Sequence, residues 1–181
     1  MPEKNEDWKN AALLVIDVQT GLFQRKTPVY REQELLENIN RLENHARSMN
    51  VPVIYIQHAN TSTLVEGSAE WQLHSQLGKL DEDLLIHKRY PDAFKGTALG
   101  KELATRNVRK LVVTGTLTDN CVKSTCIGAK KRGYEVILTK DGHSTFGEEP
   151  ANTVNRWNTK LAEQGIVVKS TSELLEGFTG S

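Results

Sequence analysis

Six short apolar runs constrain this chain more than any other feature in it: residues 12–16 (Ala-Leu-Leu-Val-Ile), 53–56, 84–86, 111–114, 136–138 and 166–168. Each is too brief for a core helix and, Thr114 aside, apolar at every position. That is the pattern of a strand covered on both faces rather than on one. Between the runs the apolar spacing changes to a helical period. Leu35, Ile39, Leu42, Ala46 and Met49 share one face of a segment over 32–49, with acids early and Arg47 late to suit the helix dipole. A helix is expected over 97–106, and another from Cys121 to Gly133 with Val122, Cys126 and Ala129 on one face. A further helix has Pro150 near its start, Val154, Trp157 and Leu161 along its face, and Gly165 past its end. Ser170, with Glu173 three residues on, predicts a capping box that opens a last short helix.

Strands alternating with helices in this way predict an α/β fold with a parallel sheet between helical layers. In such sheets ligands bind beyond the carboxyl ends of the strands. Asp17, Lys88 and Cys121 all fall at such ends. Residues 59–82 carry no clean period and are expected to form a long active-site loop with room for a single helical turn. The length of 181 residues suits one domain over 1–181, with the polar residues 1–10 as a loosely ordered arm.

Charge and cysteine content narrow the function. Lys plus Arg and Asp plus Glu both number 23, without a block of one sign, which argues against a nucleic-acid or membrane-surface partner. Cys121 and Cys126 are too few and too close for a disulfide scaffold, and no apolar leader opens the chain. A reducing cytoplasm is the expected location.

A thiol attacks a carbonyl only as thiolate, so it needs a base for its proton and a positive field. Cys121 follows a strand and a glycine-bearing turn at the start of a helix, where the dipole is expected to lower its pKa toward neutrality. Asp17 and Lys88 supply the base and the field. The alternative for each residue alone is bland: a buried small hydrophobe for Cys121, a helix cap for Asp17, a solvated lysine for Lys88. Cys126 belongs to the buried stripe. His45, in mid-helix, is read as solvated.

Gly115-Thr116-Leu117-Thr118-Asp119-Asn120-Cys121-Val122, with Thr125, Ala129, Gly133-Tyr134 and Asp141, resembles the nucleophile segment of the isochorismatase-like cysteine hydrolases, which include nicotinamidases. Asp17-Val18-Gln19 with Phe23 is similar to that superfamily's aspartate segment, and Lys88 with the stretch to Leu99 to its lysine segment. The resemblance implies a three-layer, Rossmann-like domain whose six parallel strands run in the order 3-2-1-4-5-6. It implies that Asp17, Lys88 and Cys121 form a catalytic triad cleaving a C–N bond of a small amide or carbamoyl compound through a thioester. The backbone N–H groups of Leu117 and Cys121 are the candidate oxyanion donors, with a cis peptide implied between Thr116 and Leu117. Gln19, Phe23, His58, Trp71 and Phe94 are candidate substrate contacts, and His74 a further pocket-wall residue. Nicotinamidases of the superfamily hold a metal through an Asp-x-His segment; here the stretch reads Gln57-His58-Ala59-Asn60, without that aspartate, so neither metal nor cofactor is expected. A homodimer or homotetramer acting on a small molecule is implied. The competing functions are an isochorismatase-type vinyl ether hydrolase and a non-catalytic binding domain that retains the fold.

Overall fold

A computed structural model describes residues 6–176. Six strands build one sheet: β1 (Ala11–Ile16), β2 (Val53–His58), β3 (Leu84–Lys88), β4 (Lys110–Thr116), β5 (Glu135–Ser144) and β6 (Val167–Lys169). Every neighbouring pair is parallel and the order is β3-β2-β1-β4-β5-β6, as the resemblance implied. The helices are α1 (Thr20–Phe23), α2 (Glu32–Ser48), α3 (Leu99–Thr105), α4 (Lys123–Lys131), α5 (Pro150–Glu163) and α6 (Thr171–Glu176).

The alternating residues of each strand feed two cores. Leu13, Val15, Val53 and Tyr55 pack under α2 and α6, while Leu14, Ile16, Ile54 and Ile56 pack under α3, α4 and α5. The expected capping box closes α6: Ser170 N–H donates to Glu173 Oε2 at 2.6 Å, and Glu173 N–H to Ser170 Oγ at 3.1 Å. Among the described residues no helix is long and apolar enough to cross a membrane.

Three expectations are corrected. Of the arm over 1–10, residues 1–5 lie outside the described residues, and the rest is fixed rather than loose. Trp8 is 2% exposed, and its indole N–H donates to Leu174 O at 2.9 Å. Burying so large a ring contributes about 2–3 kcal/mol, enough to hold a short segment in place. The loop over 59–82 contains no helical turn. Strand β5 runs six residues beyond its apolar run, from Thr139 to Ser144, where Asp141, His143 and Ser144 bond to Thr171, Thr118 and Tyr30 O.

Two backbone features shape the carboxyl end of the sheet. Gly115 has φ +122°, and a Cβ there would stand 2.1 Å from Ile16 O, so only glycine lets β4 press this closely on β1. Asp17 has φ +50°, a left-handed conformation that costs an aspartate about 1 kcal/mol.

Candidate active site

That twist at Asp17 ends β1 and turns the carboxylate into the interior. Asp17 N–H donates to Ile56 O at 2.9 Å, and the Thr116 hydroxyl donates to Asp17 O at 2.6 Å. The residue is thus clamped by both neighbouring strands and is only 2% exposed. Lys88, last in the edge strand β3, reaches across the end of β2. Its Nζ lies 3.0 Å from Asp17 Oδ2, 2.9 Å from His58 Nδ1, 3.0 Å from Tyr90 O and 3.2 Å from Cys121 Sγ. Cys121 stands in a wide turn, Thr118–Val122, that precedes α4. The peptide between Thr116 and Leu117 is cis, as the resemblance implied. Four strand ends therefore converge on one buried ammonium.

The electrostatics correct the expectation of a low thiol pKa. Burial, and then the charge of Asp17, push Cys121 up to about 12, against the pull of Lys88. The wide turn also sets Cys121 within a helical segment rather than at a bare amino end. At neutral pH the sulfur is a thiol. Burial likewise raises Asp17, with Lys88 pulling the other way, which makes its carboxylate a stronger base than a solvated one. Asp17 Oδ1 is buried without a hydrogen-bond partner. Burial, and then Lys88, lower His58, so its ring is neutral and accepts at Nδ1.

Asp17, His58 and Cys121 offer donor atoms within 4.8 Å of one another, a set whose chemistry suits zinc. The space among them holds Lys88 Nζ, so the charge at their centre is the lysine's own. The other histidine of the metal reading, His74, has its Nδ1 engaged by Gln76 N–H at 3.2 Å and its ring against Phe23. These residues do not fit the nicotinamidase metal site.

The candidate pocket residues divide. Gln19 is committed to the chain itself: its amide donates to His58 O at 2.9 Å and Trp71 O at 2.8 Å, and accepts from His58 N–H at 2.9 Å. It anchors the loop and has no donor left for a substrate. Phe94 is in the core beneath α4, 5.5 Å from the Tyr134 ring and covered by Arg132, so it is not a pocket wall. Trp71 packs on His87 at 5.1 Å and, with Lys88 and Tyr90, lines a cleft of about 180 Å³. Larger hollows, of about 410 and 520 Å³, lie elsewhere, beside β5 and near Trp8. They do not contain Asp17, Lys88 or Cys121. Cys126 is fully buried with Val122 and Ala129, as expected. His45 is half-buried against Trp8, not solvated.

Sequence reasoning missed the polar end of β5. His143, Ser144 and Thr145 are all buried, and they bond to Thr118, Tyr30 O and Asp119. The three hydrogen-bonding residues His143-Ser144-Thr145 in a row, a few positions past an apolar strand, were the available signal.

A family model described as Isochorismatase domain matches residues 11–171. Streptothricin hydrolase of Streptomyces noursei is 30% identical over 75% of this chain, which spans 50% of that protein's length. Nicotinamidase 3 of Arabidopsis thaliana is 25% identical, covering 81% of this chain and 79% of its own. A crystal structure of an isochorismatase family protein superposes with TM-score 0.85 at 30% identity, over 90% of this chain and 99% of that one.

Proposed function

Since the chain belongs to the isochorismatase family of hydrolases, we propose that it is a cysteine hydrolase that cleaves the C–N bond of a small non-peptide amide or carbamoyl compound. The observation that carries this reading is the buried contact of Lys88 Nζ with both Asp17 Oδ2 and Cys121 Sγ. The name of the nicotinamidase relative points to an amide substrate as well.

The thiol is neutral at rest, so proton removal accompanies attack. Asp17 takes the proton as Sγ bonds to the carbonyl carbon, and Lys88 holds the growing thiolate charge. The oxyanion accepts hydrogen bonds from the N–H groups of Leu117 and Cys121, each such donor contributing about 3 kcal/mol in other hydrolases. Asp17 returns the proton to the nitrogen, the C–N bond breaks, and the amine leaves a thioester on Cys121. Water then adds to the thioester, giving its proton to Asp17. The C–S bond breaks, Asp17 reprotonates the sulfur, and the acid departs.

Cys121→Ala abolishes turnover under this mechanism. Cys121→Ser leaves a trace, because the hydroxyl keeps the shape but ionises far less readily. Mass spectrometry of a quenched reaction finds one acyl group on Cys121. A second reading, vinyl ether cleavage, is favoured by one observation: burial raises Asp17, which suits a proton donor as well as a base. If Cys121→Ala keeps its activity while Asp17→Asn loses it, that second reading holds and the amidase is wrong.

A further inference from the structure

We propose that His143 is the positioning residue of the turn that carries Cys121, acting through Thr118; the proposal rests on Cys121 being the reactive group. Three hydrogen bonds, all on buried side chains, carry it. Thr118 Oγ1 lies 2.7 Å from His143 Nδ1, His143 Nε2 lies 2.8 Å from Asn158 Oδ1, and Asn158 Nδ2 donates to Lys140 O at 3.2 Å.

The chain of bonds has one polarity. Because the Asn158 amide nitrogen is spent on Lys140 O, its oxygen faces His143, so His143 carries its proton on Nε2. Nδ1 is then an acceptor, and the Thr118 hydroxyl must donate to it. Burial lowers His143 to about 4, so this arrangement persists across the neutral range.

Thr118 opens the five-residue turn Thr118–Val122, and no side chain caps that turn from within. Turns of this width are rare and weakly held by their own backbone bonds. Here the end of β5 grips it at two points: His143 holds Thr118, and the Thr145 hydroxyl donates to Asp119 Oδ1 at 3.0 Å. His143 therefore fixes where Cys121 sits relative to Asp17 and Lys88, although it acts only through another side chain. The sequence shows it merely as a histidine past the end of an apolar run.

Two substitutions separate this role from plain core packing. His143→Asn puts an amide oxygen near the position of Nδ1 and keeps the acceptor for Thr118. His143→Gln puts its amide near the position of Nε2, keeping Asn158 and losing Thr118. Thr118→Val removes the same bond from the other side. The probe is iodoacetamide, with labelling of each cysteine followed by peptide mass spectrometry across pH. In His143→Gln and in Thr118→Val the released thiol leaves its buried place beside Asp17, and its titration midpoint falls toward the free-thiol value of about 8.5. Each unit of that fall speeds Cys121 labelling at neutral pH about tenfold. His143→Asn labels like the wild type, and Cys126, fully buried on the inner face of α4, stays unlabelled in all three.

The proposal is overturned if His143→Asn behaves like His143→Gln, if all three variants label like the wild type, or if Cys126 labelling rises in step with Cys121. The last result marks general loosening. If wild-type Cys121 is not labelled ahead of Cys126, the reactive-cysteine reading falls and takes this one with it.

Discussion

Under the proposed mechanism Asp17 meets two opposing demands: it must be charged to receive a proton, yet its charge is one cause of the high pKa of the neighbouring thiol. Asp17→Asn therefore moves two observables in opposite directions. With the like charge gone, Cys121 titrates below its present value of about 12, as ultraviolet thiolate absorbance would record. Turnover nevertheless falls by about 10²–10⁴, because the base is gone. A midpoint that rises, or turnover that survives, refutes the assignment of Asp17 as base. The ammonium of Lys88 adds a constraint of number: it has three protons and four acceptors, Asp17 Oδ2, His58 Nδ1, Tyr90 O and Cys121 Sγ. A neutral sulfur is the weakest of the four, so it competes well only once it is ionised. At this scale the sequence marked the candidate side chains by their position after strands. It could not mark their ionisation, which depends on burial and on a carboxylate from another strand.

Among the elements, the loop over 59–82 is held by hydrogen bonds to its neighbours: Thr20 and Gly21 N–H donate to Gln72 O and Glu70 O, His74 N–H to Val18 O, and Gly78 N–H to Asn40 Oδ1 and Glu43 Oε2 of α2. It has neither helix nor strand, and one isolated bridge, Gln19 to Leu73, ties it to the segment after β1. Gln57 Nε2 of β2 donates to Trp71 O at 2.9 Å, and the three bonds of Gln19, two to His58 and one to Trp71 O, at about 1 kcal/mol each, further join this part of the loop to β2. Gln19→Leu removes them at little change in volume, and local opening should rise by more than about tenfold. Thermolysin cutting at Leu64 or Leu73 measures that opening, and an unchanged cutting rate shows that the loop is held by other means. The apolar strands and amphipathic helices were legible because their periods repeat. Residues 139–145 and Gln19 were not, since a polar side chain reads alike whether it meets solvent, substrate or backbone. Phe94 misled for the matching reason: an aromatic ring beside a candidate catalytic lysine serves a core as readily as a pocket.

For the molecule as a whole, His143 gives stability a dependence on pH. The unfolded chain binds a proton at this histidine near pH 6.5, about the ordinary value, whereas the folded chain resists it down to about 4. The unfolded state thus holds more protons in that window, so stability present above about pH 6.5 is lost as pH falls toward 4, by about 3 kcal/mol at the lower end. Asp17 and Glu43, both raised by burial, bend the profile the other way at its acid end. The test is therefore the difference between wild type and His143→Asn in urea unfolding across pH. A difference that does not change between pH 7 and about pH 4 refutes the buried neutral histidine.

The convergence of four strand ends on Lys88 Nζ has a consequence for quality control. Side chains alternate between the faces of a strand, so a slip of one residue in β1, β2 or β3 would swing Asp17, His58 or Lys88 to the opposite side of the sheet. The site is thus a conjunction of independent alignments, true only when all hold together. A chain with one strand mispaired would be inert rather than partly active, and specific activity would report the fraction of molecules whose whole central sheet is in register.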